Sequence, residues 1–439
     1  MRIKWLVFFF MAATVVACSL DNGGGELIGT RSVKKWFEPR PYGMVLIPTG
    51  SLNIGQNDED MAWSMAASQR TITLPAFWMD ETEITNDEYR QFVYYVIDSV
   101  KRQRLADEGY DEFLVRDRQG NVLEPPRLDW RARIDLRRNE EYKEILDGLN
   151  YSGEDRIQDN ELDVRRLIYN YSWYDFTQAA LNDSYYDPKA GTYTGGTVVN
   201  ALGEREAVKG RASFIMRREV PIYPDTLCWL KDFTFAFNDP YVYGYFSHVS
   251  YDDYPVVGVN WHQAHAFCHW RTQFFLNASE NRVQSWRLPS ESEWEYAARG
   301  GLTGADYPWG SYYTRNKKGC FMANFKPMRG NYIGDGGAIT VRVGTYEPNG
   351  YGLYDMAGNV AEWTGDTYDE SAYQVTHDMS PYYQYISKES DNRIFKRKTV
   401  RGGSWKDAAF YLQNGVRSYE FQDSCRSFVG FRTVRTVMQ

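Results

Sequence analysis

The alternation of hydrophobic and polar positions predicts a few short elements near the start of the folded region. The apolar run Met44–Ile47 ends at Pro48, Thr49 and Gly50, which is the pattern of a strand entering a turn. Further on, Thr85 and Glu88 form a capping box, and apolar residues then recur at helical spacing. The spacing predicts a helix whose buried face comprises Tyr89, Phe92, Val93, Val96 and Ile97.

Two more helices are predicted in the second half of the chain. A capping box at Ser290 opens one of them, which ends at Gly300. The other begins near residue 260 and carries His262, His265 and His269 on one stripe. His265 and His269 are helical neighbours that could chelate a transition metal, but no Glu completes a metallopeptidase motif. The alternative is a polar stripe that faces solvent or the segment 99–249, and we favour it.

Residues 99–249 differ in composition from the rest of the chain. Charged clusters alternate there with tyrosine-rich runs such as residues 169–174, and one good helix is predicted, with Tyr142, Ile145 and Leu146 on its apolar face. The segment is too long for a structureless connection inside a compact domain. We therefore expect an insertion within one domain formed by residues 42–98 and 250–439.

The first residues have the pattern of a targeting segment. Residues 1–17 combine a positively charged start with a short apolar stretch and end before Cys18, as in a bacterial lipobox. We expect lipidation at Cys18, a flexible tether over residues 18–41, and attachment to the periplasmic side of the outer membrane. The alternative is an ordinary signal peptide followed by a chance cysteine.

The composition limits the class of protein. The chain has 439 residues, of which 43% are hydrophobic and 25% charged, as in a globular protein with a sizeable core. Aromatic residues reach 16%, and such side chains can hold a loop-rich fold together. A formal net charge of −8 argues against a nucleic-acid partner. Beyond residue 17, no stretch is apolar for long enough to span a bilayer.

The stretch 350–366, GYGLYDMAGNVAEWTGD, suggests a cation-binding loop. Asp355 and Glu362 bracket a glycine-containing turn that can expose carbonyl oxygens, and calcium prefers this mixture of ligands. The alternative is a tight turn without metal, with Trp363 filling the core.

Several segments occur in a fixed order along the chain: FWMDETEITNDEYRQFV, RLPSESEWEYAARGG, PNGYGLYDMAGNVAEW, RGGSW and GFR. This set resembles the formylglycine-generating enzyme (sulfatase-modifying factor) family. The resemblance implies an α+β, C-type-lectin-like fold that is loop-rich and low in regular secondary structure. It also implies two structural calcium sites. One would use Asn324, Phe325, Asp335 and Gly337, and the other Asp355, Gly358, Val360 and Glu362; hydrogen-bonded turns without metal are the alternative.

The same resemblance locates the family's oxidase chemistry. The family uses two cysteines, five residues apart after the RGGS segment, to bind copper(I) through sulfur. In this chain those positions are Asp407 and Leu412. We therefore expect no copper and no catalytic residue. The pairing of the remaining cysteines, Cys228, Cys268, Cys320 and Cys425, stays open.

Two further segments, YPDTLCW and DDYPVVGVNW, narrow the resemblance. With the lipobox and the long insertion they resemble the GldK/PorK-type lipoproteins of gliding motility and type IX secretion. That resemblance implies a scaffold that self-assembles into a large homo-oligomeric ring, with a periplasmic partner of the GldN/PorN type and other type IX secretion components. Two other functions stay open: a lectin-like lipoprotein that binds a ligand or glycan, and an oxidase that uses other residues.

Overall fold

The computed structural model describes residues 38–56, 67–153, 161–181, 185–236, 238–278, 284–327 and 331–437, and Arg40–Met438 form one unit. The predicted targeting segment and Cys18 lie outside the described residues. The α-helices are α1 Asn86–Asp107, α2 Glu140–Asp147, α3 Phe176–Ala179, α4 Pro240–Tyr243, α5 Trp261–Ala278, α6 Glu291–Ala298 and α7 Ala372–Val375. Within the described ranges, no helix has both the length and the apolar composition needed to cross a membrane.

The strands are short and form a few small sheets. They are β1 Met44–Ile47, β2 Gly50–Ile54, β3 Arg70–Leu74, β4 Phe77–Asp80, β5 Ile168–Tyr174, β6 Tyr186–Asp187, β7 Thr192–Tyr193, β8 Thr197–Val199, β9 Arg205–Ala207, β10 Ile215–Pro221, β11 Trp286–Arg287, β12 Ala361–Thr367, β13 Arg397–Arg401, β14 Ser418–Phe421, β15 Val429–Gly430 and β16 Val434–Thr436. Two four-stranded sheets have the orders β1-β4-β16-β11 and β14-β13-β12-β15. The fold is mixed α+β with modest regular secondary structure, which confirms the predicted class.

Pairing within the two larger sheets brings distant parts of the chain together. Strand β4 pairs antiparallel with both β1 and β16, so the beginning and the end of the folded region share one sheet. In the other sheet β12 pairs antiparallel with β13 and parallel with β15. Every residue of β12 is buried, and Trp363 donates its indole N–H to the Val259 carbonyl at 3.1 Å. Trp363 is therefore a core residue.

The capping-box helices form where the sequence predicts them. Thr85 and Glu88 cap α1 reciprocally, and the predicted apolar face is buried except for Ile97, which is half-buried. Tyr89 of α1 stacks on Phe267 of α5 with ring centroids 5.7 Å apart, so the two helices pack through aromatic side chains. Ser290 and Glu293 cap α6 in the same way.

The antiparallel pair β5–β10 lies within residues 99–249 and covers the histidine stripe of α5. The Tyr171 hydroxyl lies 3.0 Å from His265 Nδ1, and the Tyr171 ring stacks on His269 at 4.6 Å. Burial lowers the pKa of His269 to about 4, which keeps this imidazole neutral at pH 7. The prediction that the stripe faces the segment 99–249 is confirmed.

Candidate functional site

The RGGS segment follows β13 and is fixed by a buried ion-pair network. Arg401 pairs with Glu295 at 2.6 Å and donates to the Val416 and Asn414 carbonyls. Gly402 and Gly403 both have positive φ, and a Cβ on Gly403 would lie 2.8 Å from the Tyr411 carbonyl oxygen. The two glycines are therefore required by backbone conformation and by close packing.

The two positions at which the resembled family has cysteines are occupied here by an aspartate and a leucine. Leu412 is completely buried in an apolar cluster with Phe325, Tyr307 and Ala357. Asp407 accepts a hydrogen bond from the Ser404 hydroxyl at 2.6 Å, and burial raises the pKa of this carboxyl group. Leucine cannot ligate copper(I), and a carboxylate is a poor ligand for this soft ion.

Three cysteines of the described residues are poorly suited to replace that pair. Cys228, Cys268, Cys320 and Cys425 are all free thiols. Burial raises the pKa of the first two well above the ordinary thiol value and that of Cys425 to about 11. A thiol with a raised pKa contains little thiolate at neutral pH, so it is a weak nucleophile and a weak metal ligand.

The first predicted calcium set is brought together by the fold. Asp335 accepts hydrogen bonds from the backbone N–H of Phe325 at 2.6 Å and of Gly337 at 3.3 Å. A Cβ on Gly337 would lie 2.7 Å from Asn324 Oδ1, so the amide oxygen sits directly against this loop. Asn324 is fully buried, and its Oδ1 has no hydrogen-bond partner among the residues that the structure describes. An orphaned buried oxygen of this kind calls for a ligand or water.

The second predicted set lies in a buried cluster of charge. The Arg432 guanidinium pairs with Glu362 through Nη2 at 2.7 Å and Nε at 2.8 Å. Glu362 also accepts from the Trp294 indole N–H at 2.7 Å. One oxygen of Asp355 accepts from the Gly344 N–H at 2.6 Å, whereas Asp355 Oδ1 is buried and finds no partner within the described ranges. The two carboxylates of the set are therefore held in place, and one of them keeps an unsatisfied oxygen.

Sequence reasoning missed a third carboxylate of this cluster. Glu83 is completely buried and accepts from the Val360 N–H at 3.0 Å and from the Asn359 side-chain amide at 2.6 Å. Burial, followed by repulsion from Asp355 and Glu362, raises the pKa of Glu83 well above its usual value. No local pattern identifies this residue, because its partners lie more than 270 positions later in the chain.

The charge of the cluster is unbalanced. Glu83, Asp355 and Glu362 share the single guanidinium of Arg432, and burial raises the pKa of Asp355 to about 6. Within the described residues, however, no three His, Cys, Asp or Glu side chains converge on one point where they could hold a metal ion. A cation in these loops would therefore need the amide and backbone carbonyl oxygens of the predicted sets as well.

Comparisons with known proteins test the family resemblance of the chain. The model of the "Sulfatase-modifying factor enzyme 1-like domain" family matches residues 31–152 and 238–437. The chain is 34% identical over 186 residues to the inactive C-alpha-formylglycine-generating enzyme 2 of Bos taurus, which is 41% of this chain and 50% of that protein. It is 33% identical over 186 residues to the formylglycine-generating enzyme of Streptomyces coelicolor, 41% of this chain and 52% of the other.

Among solved structures, PvdO from Pseudomonas aeruginosa is similar with a TM-score of 0.45 and 16% identity, covering 90% of this chain and 94% of that one. The chain spans about half the length of the curated relatives it matches, and these include active enzymes as well as inactive ones. The matched family model covers more than half of the chain. The chain therefore belongs to the family of proteins with a sulfatase-modifying factor enzyme 1-like domain.

Proposed function

We propose that this protein is a non-catalytic, lipid-anchored scaffold that assembles into a periplasmic ring at the outer membrane as part of the type IX secretion (gliding-motility) machinery. The observation that carries the non-catalytic role is Leu412, which fills an apolar cluster where the family's chemistry needs a thiolate. Asp407, at the other thiol position, is bonded to Ser404.

The proposed location and partners rest on sequence motifs. Cys18 ends a lipobox, and YPDTLCW and DDYPVVGVNW resemble segments of GldK/PorK-type lipoproteins. We propose anchoring by Cys18 lipid in the outer membrane, self-assembly into a large homo-oligomer, and contact with a partner of the GldN/PorN type and with other type IX secretion components.

Exposed apolar side chains in the segment 99–249 support an interface between copies. Phe176 is 74% exposed and Leu181 56%, and Tyr185 and Tyr186, a few positions later in the chain, are 62% and 53% exposed. Large apolar and aromatic side chains are the usual anchors of protein interfaces. We propose that this patch, defined by Phe176, Leu181, Tyr185 and Tyr186, contacts a second copy of the chain.

Calcium is our proposed structural cofactor of the two loops. The predicted sets offer carboxylate, amide and carbonyl oxygens, which calcium prefers. Each set contains a buried oxygen that no described residue hydrogen-bonds, Asn324 Oδ1 in the first and Asp355 Oδ1 in the second. Glu362 keeps accepting capacity beside Arg432, because a carboxylate has about four lone-pair sites. Bound ions would hold residues 324–325, 335–337 and 355–362 in place, without a chemical step.

A copper(I) titration with an oxygen-consumption assay tests the non-catalytic role. We expect no stoichiometric copper(I) binding and no oxidation of a cysteine-containing peptide by the parent protein. The variant Asp407→Cys/Leu412→Cys restores the thiol pair on the same backbone and should gain copper(I) binding, which serves as the positive control. Tight copper binding with turnover by the parent would overturn the proposal and favour an oxidase that uses other residues.

Imaging of particles purified in mild detergent tests the assembly. We expect large ring-shaped particles from the parent and smaller species from Phe176→Asp/Leu181→Asp. Tyr312→Asp, at a 71% exposed position outside the segment 99–249, is the matched control and should leave the particles intact. Native-sized particles from the double variant would exclude this patch as the interface. A solitary parent monomer that binds glycans in a saturable manner would favour the lectin-like alternative.

A further inference from the structure

A cavity lies between the segment 99–249 and the C-terminal half of the chain. It has a volume of about 70 Å³, and β10, α5, β13 and the loop 384–387 line it. At this junction Gly203 has positive φ, and a Cβ there would lie 2.9 Å from the Ile386 carbonyl oxygen. The turn between β8 and β9 thus packs closely on the loop. The cavity has room for several waters or for one small ionised end group.

One wall of the cavity is a buried lysine. Lys398 is 4% exposed, and its ammonium donates to Thr367 Oγ1 at 3.0 Å and to the Tyr385 carbonyl at 3.3 Å. It also lies 4.4 Å from the centre of the Trp261 ring. Burial lowers the pKa of Lys398 to about 7, partly offset by Asp366. In the described part of the chain no carboxylate lies within ion-pair distance of this ammonium.

The opposite wall contributes a second cation. Arg218 of β10 donates to His262 Nδ1 and to the Ala201 carbonyl, which are both neutral acceptors. Burial lowers the pKa of Arg218, and among the described residues its guanidinium forms no ion pair with a carboxylate. Asp423 lies at the rim, 60% exposed and 3.4 Å from His262 Nε2. The Asp175 carboxylate also lines the cavity, but Gln178 occupies it through its backbone and side-chain N–H groups.

A third donor lines the cavity without a partner. Ser387 is 7% exposed, and its hydroxyl is buried with no hydrogen-bond partner among the described residues. A buried hydroxyl is normally bonded, so an orphan that lines a cavity beside two cations indicates a missing acceptor. A buried ammonium and a half-buried guanidinium, neither ion-paired with a carboxylate of the described residues, are also costly unless an anion or water compensates them.

We infer that this cavity binds an oxyanion, a carboxylate or phosphate group carried by a small molecule, through Lys398, Arg218 and Ser387. The donors come from β13, β10 and the loop 384–387, so the ligand would tie the segment 99–249 to the C-terminal half. None of these residues belongs to the apolar cluster around Leu412, and the inference does not depend on the proposed scaffold role.

Thermal unfolding and calorimetric titration of the full chain in mild detergent test the inference. The probes are sodium acetate and inorganic phosphate, each compared with chloride at equal ionic strength. We expect one probe or both to raise the midpoint temperature of thermal unfolding of the parent above its value in chloride. A response to acetate alone identifies a carboxylate ligand, and a response to phosphate alone identifies a phosphate ligand.

Lys398→Met and Arg218→Met should each weaken binding about tenfold or more, because each removes a charge-assisted hydrogen bond. Lys398→Met is expected to fold at least as stably as the parent without the anion, since it removes an unpaired buried charge. Lys231→Met, at an exposed ion-paired lysine outside the cavity, is the matched control and should keep parental affinity. Equal responses to chloride and to both probes in the parent, or unchanged affinity in Lys398→Met, would overturn the inference.

Discussion

Two buried clusters of charge in this chain are unbalanced in opposite directions. Around Asp355, three carboxylates share the guanidinium of Arg432. Around Lys398, two cations line a cavity, and the described residues offer neither of them a carboxylate partner. Both clusters also contain a buried oxygen without a hydrogen bond to the described part of the chain, Asp355 Oδ1 in the first and Ser387 Oγ in the second. Opposite excess charge predicts opposite ligands, a cation in the loops and an anion in the cavity.

In a third buried network, one carboxylate is fully satisfied by its partners. Glu295 pairs with Arg299 at 2.7 Å and with Arg401 at 2.6 Å, and each of its oxygens has a partner. It fixes the RGGS segment and leaves no carboxylate oxygen for a ligand. Buried charge alone therefore does not mark a binding site.

The largest expected effect comes from removing the one cation of the acidic cluster. Arg432→Met leaves three buried carboxylates without a counter-charge, and we expect a loss of about 3–5 kcal/mol in the free energy of unfolding. Urea unfolding followed by tryptophan fluorescence measures it. Arg342→Met removes an exposed arginine paired with Asp253 and should cost less than about 1 kcal/mol. Equal losses in the two variants would show that the cluster is not an unbalanced one.

A structural feature could be predicted from the sequence when the residues that contact each other lie close together along the chain. The capping boxes at Thr85 and Ser290 are local, so both helices could be predicted. The proposed calcium ligands occupy two short loops, and the resemblance to the family placed them together. Lys398 could not be assigned to a site, because RKTVR reads as an exposed charged strand until β12 and α5 bury it. Glu83 could not be assigned to a site from the sequence either, because its role depends on contacts with residues 359 and 360.

Calcium should stabilise the folded protein by binding at the acidic cluster around Asp355, and not at the cationic cluster around Lys398. At 100 times its dissociation constant an ion that binds only the folded state adds about 2.7 kcal/mol of stability. Asp355→Asn should lose part of this calcium-dependent gain, because the amide keeps one ligand oxygen but not the negative charge and the first set is unchanged. In chelator the variant should be at least as stable as the parent, because it removes a buried charge. Asparagine also tolerates the positive φ of 54° at this position.

Thermal unfolding in calcium and in chelator measures the difference between the two states. Asp253→Asn, at an exposed carboxylate outside both predicted sets, is the control and should keep the parental gain. A parental calcium response in Asp355→Asn would contradict the assignment of this residue as a ligand.

Low pH should lower the free energy of unfolding, because protonation of the buried histidines of α5 adds positive charge near Lys398 and Arg218. Burial lowers the pKa of His269 to about 4 in the folded state, against about 6.5 when unfolded. The unfolded chain therefore binds more protons between these values, and stability falls as the pH drops from about 6.5 towards 4. At pH 5 the loss is on the order of 2 kcal/mol for this histidine.

His269→Phe should remove that share of the pH dependence, because phenylalanine keeps the stacking on Tyr171 without a titratable group. Unfolding free energies of variant and parent at pH 5 and pH 7.5 give the comparison. His377→Phe, at an exposed histidine, should show the parental dependence. If His269→Phe followed the parent across this range, the imidazole would not be held neutral by burial.

The smallest expected change in stability comes from removing a buried hydroxyl, and it should differ between Ser387 and the hydrogen-bonded Thr364. Thr364 donates to the Thr399 carbonyl at 3.1 Å, and Thr364→Val should cost about 1 kcal/mol because it leaves that carbonyl with one partner fewer. Ser387→Ala removes a hydroxyl that has no partner, so without an oxyanion its stability should stay within about 0.5 kcal/mol of the parent. With the oxyanion bound, Ser387→Ala should gain less stability than the parent. A loss of 1 kcal/mol or more in Ser387→Ala without any anion would mean that the hydroxyl already has a partner, and the argument for an acceptor missing from the cavity would then rest on Lys398 and Arg218 alone.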